Sequence, residues 1–532
     1  MVDILVVGSG GAGLTAALTA KKEGASVLVA GKSYPTNSQT CMAQGGMNAA
    51  LGNVEEDHIA SHIEDTIKSG HGLCNEHMVR KMCADAPEAI RWLEALGVPF
   101  SRLENEQKSI KSVAQRKMGG ASAKRACYAQ DYTGLKILHT LYDNCLKEGI
   151  DFLDEHFLLN LITAEETIKG ATFLDIRSGE VIQINAKSVI IATGGFGALY
   201  HNYTTNAFGS TGDGIAAVLR AGGAVSDMEF VQFHPTALKN SSILISEAAR
   251  GEGGYLVNGK NERFVDELKP RDVVARAIFT QLEQGEEVFL DLRHLGEEKL
   301  MTLLPQEIEL CRLHENIDPL DALIPIKPVA HYTMGGIDVD DALEVNGIKG
   351  CFAVGECSAA KVHGANRLGG NSLLEIIAFG KFAGENATKH AMFANTKEAD
   401  ETQRQKDQAH IEHIYAQPHT VNFYEARDAL GKLMYEKVGI VKENETLNDA
   451  LEEVIHMQVS LSKMGIKDQS KENNQNLIEF LEFTNALLLA PTIISSAIAR
   501  DESRGAHFKK EFEEEDQAFK KHIVLQWKRE EV

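Results

Sequence analysis

The sequence has no Cys-x-x-Cys pair. Its eight cysteines, Cys41, Cys74, Cys83, Cys127, Cys145, Cys311, Cys351 and Cys357, are scattered, and none joins histidine at zinc or iron–sulfur spacing. The chain is therefore expected to hold no metal and to keep reduced, mostly buried thiols in a cytoplasmic setting. A basic leader is missing as well. Asp3 precedes the apolar stretch of residues 4–20, and the first Lys or Arg is Lys21, which argues against a secretory signal. No segment reads as long and apolar enough to span a bilayer, so no direct membrane insertion is expected. Positive charge is short too. With 54 Lys and Arg against 76 Asp and Glu the net charge is −22, and nucleic acid would want a basic face.

What is present is ample core for several domains: 532 residues, 43% of them apolar. Residues 4–7 read as a strand, followed by Gly8-Ser9-Gly10-Gly11-Ala12-Gly13, a helix to about Lys22, and a second strand over residues 26–29. A β-turn-α-β unit at the start of the chain gives the glycines a mechanism. Gly8 makes the tight turn, Gly10 admits a pyrophosphate close to the backbone, and Gly13 lets helix pack on strand. The helix N-terminus then offers N–H groups to the phosphates. The acidic residue that should end the second strand is absent, since the chain reads Val29-Ala30-Gly31-Lys32 there. That weakens NAD and leaves FAD.

Two further strand ends carry glycine: residues 188–195, ending Thr193-Gly194-Gly195 with Asp213 shortly after, and residues 350–356, ending Gly355-Glu356. Glu356 is placed to hold a ribose hydroxyl. These three passages predict an α/β fold: a Rossmann-like FAD-binding domain interrupted by an α+β capping domain and followed by a helical C-terminal domain. The expected boundaries are 1–235 and 327–385 for the FAD-binding domain, 236–326 for the capping domain, 386–510 for the helical domain and 511–532 for a short tail. Leu447, Leu451, Val454 and Ile455 are spaced as the core stripe of an amphipathic helix. Residues 511–516 read as solvated surface.

Five motifs mix polar groups with glycine or proline in ways a core would not choose: Gln232-Phe233-His234-Pro235-Thr236; residues 246–254, with Ser246, Glu247, Arg250 and Glu252; Pro270-Arg271-Asp272; His331-Tyr332-Thr333-Met334-Gly335-Gly336; and residues 363–373, with Asn366, Arg367, Asn371, Ser372 and Leu373. A lone His or Arg is as readily an ion-paired surface residue. Together, and in this order, the motifs resemble the flavoprotein subunits of fumarate reductase and succinate dehydrogenase, from Ile4 to Ser503-Arg504-Gly505-Ala506-His507. The likeness is weakest over residues 390–480, and the stretch after about 510 looks shortened against the family.

The resemblance implies roles. Arg271 would protonate one carbon of the fumarate double bond, with Glu247 and Arg250 relaying protons to it. His234, Ser246, His331 and Arg367 would hold the two carboxylates, and flavin N5 would exchange hydride with the other carbon. Arginine is a poor acid in water, with a pKa above about 12, so this needs a dry site and a carboxylate that resupplies the proton. Arginines and histidines also suit a dianion and a carbanion-like transition state. For the cofactor the resemblance adds Lys32, Ser38, Gln39, Thr40, Gln44, Gly45, Gly46, Gly194, Asn371, Ser372 and Leu373 to Gly8, Gly10, Gly11, Gly13, Thr193, Asp213 and Glu356. Ser246 departs from the family's usual threonine, keeping the hydroxyl and losing a methyl.

Gln39 departs further. Residues 35–40 match a family segment ending Ser-His-Thr whose histidine bonds to the flavin 8α carbon. Glutamine has no nucleophilic ring nitrogen, so FAD is expected to be held non-covalently. Two rival readings remain. L-aspartate oxidase shares the fold and the unlinked flavin, but its substrate amine calls for a carboxylate where Met118 precedes Gly119-Gly120. Residues 127–134 and 291–296 also lean to the reductase side. A non-catalytic flavin-binding assembly subunit would have lost Arg271, His234, His331 or Arg367, all of which are present. With no cluster cysteines of its own, the chain is expected to exchange electrons through an iron–sulfur subunit, attached to a membrane anchor or quinone-reactive subunit. That would set it peripherally on the inner face of the cytoplasmic membrane.

Overall fold

A computed structural model describes residues 1–103, 112–394 and 398–527. The opening unit forms as read: strand Val2–Val7, helix Gly11–Lys22 and strand Val27–Ala30. The two strands pair in parallel, and Val2–Val7 pairs on its other side with the long strand Val181–Ile191. Cys351–Ala353 joins that strand from the far side, while Asp151–Leu153 joins Val27–Ala30. The register matters for function. Val7 and Ala353 both lie opposite Ile191, so the glycines that follow all three strands leave the sheet at one level. That is the crevice at the carboxyl ends of a parallel sheet where α/β folds bind ligands. The fold class is the one the glycine passages imply.

Gly8 and Gly13 have steric reasons to be glycine. Gly8 has φ +109°, and a Cβ on it would lie 2.2 Å from the Ala192 carbonyl oxygen. A Cβ on Gly13 would lie 2.0 Å from the Gly8 carbonyl oxygen, which clamps helix to turn.

Between the second and third glycine passages lies an antiparallel sheet ordered Val231–Leu238, Ile324–Thr333, Val288–Asp291, Tyr255–Asn258. Leu238, Ile245, Leu256, Val274, Ile278, Leu290, Ile308 and Ile326 give it a hydrophobic core of its own. The helix Arg271–Glu283 packs on this sheet and points its N-terminus at the crevice.

Helices Thr402–Ala416, Phe423–Lys437, Asn444–Ser460 and Gln475–Ala499 follow. In Asn444–Ser460, Leu447, Ala450 and Val454 are buried, whereas Leu451 is half-buried and Ile455 is 45% exposed. The stripe is narrower than the spacing implied, because Ile455 lies one residue round the helix from Val454.

Helix Gln475–Ala499 corrects another expectation. By length and composition it could cross a membrane, yet 72% of its apolar window is buried inside the protein. It packs against Asn444–Ser460, Phe423–Lys437 and the helix Asp213–Arg220, so it is a core helix. Residues 511–516 are exposed as expected, but Glu515 also pairs with Arg504 (2.9 Å) and His71 (2.7 Å). Beyond them the chain returns, and Val524–Gln526 pairs with Ala224–Ser226. Buried Arg500 ties this return together, bonding Glu229 (2.6 Å), Glu502 (2.9 Å) and the carbonyls of Phe519 and Lys521.

Candidate active site

A cavity of about 740 Å³ runs from the Gly8–Ala12 turn to Arg271 and Arg367. Its walls include Gly8, Gly10, Gly11, Lys32, Ser38, Gln39, Thr40, Gln44, Gly45, Gly46, Thr193, Gly194, Asp213, Glu356, Ser372 and Leu373. The helix Gly11–Lys22 has no side-chain cap at Gly10; the Gly11 N–H donates to Thr40 Oγ1 at 3.0 Å, and the rest of the first turn faces the cavity, where an anion is favoured. Ser38 Oγ, Thr193 Oγ1 and Gln44 Oε1 are buried without partners along the same walls. Buried polar atoms of a native site are normally satisfied, so these three fit a polar, extended ligand such as a flavin dinucleotide.

Two expected cofactor residues stand back from the wall. Gly13 serves the helix–strand contact already described. Asn371 is wholly buried and braces the neighbouring elements, donating to Thr66 Oγ1 at 2.9 Å and accepting from Asn48 Nδ2 at 2.8 Å. Lys32 lies on the wall but is held by Asp213 at 2.6 Å and Glu482 at 2.7 Å. Burial opposes its charge, and the two carboxylates more than offset that, raising its pKa. Both carboxylates come from distant helices, Asp213–Arg220 and Gln475–Ala499. Burial, with the Thr333 N–H bond at 3.0 Å opposing, pushes Glu356 up to about 7. Gln39 accepts the Ala207 N–H at 2.8 Å, tying its loop to residues 204–209.

At the other end, side chains from both domains converge. Arg271 starts the helix Arg271–Glu283 and is 6% exposed. Its Nε and Nη2 lie 2.7 and 2.6 Å from Glu247 Oε2, and Nη1 donates to Gln232 Oε1 at 3.0 Å. Arg367, 4% exposed, donates to the same Gln232 oxygen at 3.2 Å and stacks on Tyr332 at 4.1 Å. Gln232 in turn donates to Asn366 Oδ1 and the Arg367 carbonyl. It therefore fixes both guanidiniums, a role the sequence reading did not assign although it quoted the residue. The signal was an amide two residues before His234 on a fully buried strand, where an apolar residue would be expected.

Glu247 accepts the Gly119 N–H at 2.6 Å with its other oxygen. Burial raises its pKa, and Arg271 and Arg250 outweigh that, holding it below the ordinary range. Arg250 is placed differently from the others. It does not line the cavity, and its Nη1 donates to the Glu267 carbonyl at 2.6 Å. Its Nε and Nη2 are buried without partners behind Glu247, and burial lowers its pKa.

His331 meets Thr205 Oγ1 through Nδ1 at 2.7 Å. His234 sits 4.9 Å away ring to ring and faces the Ile245 carbonyl with Nε2 at 2.9 Å, so that nitrogen carries the hydrogen. Burial, helped by neighbouring arginines, drives both histidines well below their ordinary pKa. Burial, then Arg271, lowers Arg367 to about 10. Ser246 caps the helix Glu247–Gly251, its Oγ accepting the Ala248 N–H at 3.2 Å, which leaves its hydroxyl hydrogen free for the cavity. Met118 is buried on the wall between Gly45 and Gly369.

The chain matches the FAD binding domain family over residues 3–373 and the fumarate reductase flavoprotein C-terminal family over residues 427–532. It is 38% identical to the 8-methylmenaquinol:fumarate reductase flavoprotein subunit of Wolinella succinogenes, covering 98% of this chain and 88% of that one. It is 39% identical to the succinate dehydrogenase flavoprotein subunit of Coxiella burnetii, covering 98% and 94%. A solved mutant of Escherichia coli quinol fumarate reductase superposes with a TM-score of 0.94 at 36% identity, over 98% of this chain and 94% of that one. The shared crevice, the interrupted sheet and the near-complete coverage agree: the chain belongs to the fumarate reductase and succinate dehydrogenase flavoprotein subunit family of FAD-dependent oxidoreductases.

Proposed function

We propose that this chain interconverts fumarate and succinate, with Arg271 as the proton donor in the reductive direction. The observation that carries this reading is the pair of buried guanidiniums, Arg271 and Arg367, bridged by one Gln232 oxygen at the closed end of the cavity. FAD, held by the glycine turn, Ser38, Thr40, Gln44, Thr193, Glu356 and Ser372, supplies hydride transfer at N5 when bound. Arg367 and His331 bind one carboxylate of the dianion and Ser246 the other, where His234 can donate through Nδ1 only as an imidazolium, since its Nε2–H is held by the Ile245 carbonyl. Arg271 delivers its proton to the alkene carbon that does not receive hydride. Once Arg271 has given up its proton, Glu247, ionised at rest and 2.6–2.7 Å away, takes up a proton drawn from solvent by way of Arg250 and passes it to Arg271; Arg250 behind it also stabilises the resting charge. Because burial strips water from these groups, each charge acts at full strength on a developing carbanion.

Met118 supports a substrate without an amine, since an ammonium at this wall would face a thioether. The decisive assay is fumarate reduction by reduced viologen beside oxygen consumption with L-aspartate. Fumarate turnover without aspartate oxidation is the expected result, and aspartate-dependent peroxide without fumarate reduction would overturn it. Loss of both activities in FAD-loaded protein would favour a non-catalytic assembly subunit. Electrons pass through an iron–sulfur subunit on a membrane anchor or quinone-reactive subunit, which keeps this chain peripheral to the cytoplasmic face. The names of the Wolinella and Escherichia relatives, with their methylmenaquinol and quinol, support a quinone-reactive partner.

Gln232→Leu provides a check on positioning. It preserves bulk but leaves two buried guanidiniums short of an acceptor, which costs about 1–3 kcal/mol. The expected outcome in steady-state kinetics is a fall in kcat/KM of roughly 10- to 100-fold, with the circular dichroism spectrum unchanged.

A further inference from the structure

Behind Ser246 lies a cluster of buried polar side chains that the proposed chemistry does not use. The helix Pro305–Glu315 begins there, and Glu307 in its first turn accepts the Ser246 N–H through Oε1 at 3.2 Å. Glu307 is 1% exposed, and its Oε2 has no partner. Asp131 reaches the same helix end from the loop ahead of the helix Thr133–Lys147. Its Oδ2 accepts the Gln306 N–H at 2.8 Å, while its Oδ1 and Gln306 Oε1 are also unpartnered. Arg116 faces them from the short strand Gln115–Arg116, stacked on Tyr128 at 3.7 Å and donating to the Gln130 carbonyl at 2.5 Å. Its Nε and Nη1 are buried without partners, so its charge reaches both carboxyls through space.

We propose that Glu307 is a positioning residue of the dicarboxylate site: as a neutral acid it fixes the Ser246 backbone, and on ionising it places a charge behind the pocket that repels a dianion. This rests on the fumarate–succinate reading and names what tunes its affinity. The geometry puts one substrate-facing residue a single hydrogen bond from an acid with no counter-ion in contact. Like charges packed this way do not ionise together. Burial, then the charge of Asp131, pushes Glu307 up to about 8, against the opposing Ser246 N–H and Arg116. Glu252, Glu309, Tyr128, Tyr132 and Cys311 are further titratable groups around Arg116, Asp131 and Glu307. Burial raises Tyr132 and Cys311, and neither supplies positive charge. An ordinary glutamate titrates near about 4.3. Between there and about 8 the folded state holds a proton the unfolded chain has lost, so the contribution to stability is full below this window, falls as pH rises through it and is gone above about 8.

The test is titration of malonate, a dicarboxylate with no double bond, into FAD-loaded protein by calorimetry between about pH 6.5 and about pH 9. Wild-type affinity is expected to fall by at least about threefold more across this window than that of Glu307→Gln, which keeps the acceptor and cannot ionise. Any titration of His234 or Glu356 is common to both proteins and cancels. Asp131→Asn removes the neighbouring charge and is expected to move the midpoint of the fall to lower pH. Parallel profiles for wild type and Glu307→Gln, or an unmoved midpoint in Asp131→Asn, overturn the proposal. Absence of malonate binding at every pH overturns the dicarboxylate reading itself and this proposal with it.

Discussion

Replacing Arg271 by lysine is expected to lower fumarate turnover by roughly 10²–10⁴-fold, the range a positioned general acid contributes. Lysine keeps the charge but presents a point cation, not a planar fork. It cannot hold Glu247 through two nitrogens while reaching Gln232 through a third, as Arg271 does at 2.7, 2.6 and 3.0 Å. Ground-state binding should suffer less, because Arg367 and the retained charge still face the dianion. The expected signature is a collapse of kcat with malonate affinity within about tenfold of wild type. The substitution is also gentle on the fold. Removing one partner of a buried ion pair outright costs about 3–5 kcal/mol, and a lysine leaves Glu247 with a cation. If Arg271→Lys turns over within about tenfold of wild type, the proton comes from elsewhere, and the relay through Glu247 falls with it.

Much of the fold was legible because its signals are local. The need for glycine at Gly13 is local, since a Cβ there would lie 2.0 Å from the Gly8 carbonyl oxygen, and at Gly8 the positive φ of the turn is local too, although the clash a Cβ would meet there is with Ala192 on a neighbouring strand end. What depends on distant contacts was harder to read. Helix Gln475–Ala499 escaped as an apolar span because Glu479, Glu482, Asn485 and Pro491 interrupt it. Only the fold gives those residues partners, such as Lys32 for Glu482 and Arg220 for Asn485. Ile455 was placed in a core stripe because one turn of periodicity cannot tell which edge of the stripe meets solvent. Among site residues, Asn371 was read as a cofactor contact but stands back from the wall, whereas Arg250, read as a relay residue, lies behind Glu247. A helix turns residues three apart toward one side but at different depths, and Arg250 sits one turn behind Glu247. Gln232 was legible only as part of a motif, and Glu307, beside Gln306 and Glu309, carried no sequence signal. Their partners lie 39 to 135 residues from Gln232 and 61 from Glu307.

Acid precipitation of the FAD-loaded protein is expected to leave the flavin in the supernatant, with none travelling with the denatured chain. The argument starts from the chemistry of residue 39. A linking histidine attacks the flavin through a basic ring nitrogen, and the Gln39 amide has none. Its oxygen is moreover engaged, accepting the Ala207 N–H at 2.8 Å, so this side chain serves as a tie between two loops of the cavity wall. The flavin must then be retained by the glycine turn, by the buried hydroxyls of Ser38 and Thr193, and by burial itself. An 8α link withdraws electrons from the ring, so without it the midpoint potential is expected to be lower, which would favour reduction of fumarate over oxidation of succinate. Gln39→His turns both statements into one experiment. It restores a nucleophilic nitrogen at the cavity wall and removes the tie to Ala207. The expected result is a fraction of flavin that resists acid release, together with a higher midpoint potential in spectroelectrochemical titration. Flavin that stays with the denatured wild-type chain would refute the non-covalent reading. A potential in the wild type above that of the fumarate–succinate couple would remove the lean toward reduction, leaving direction to the partner that supplies the electrons.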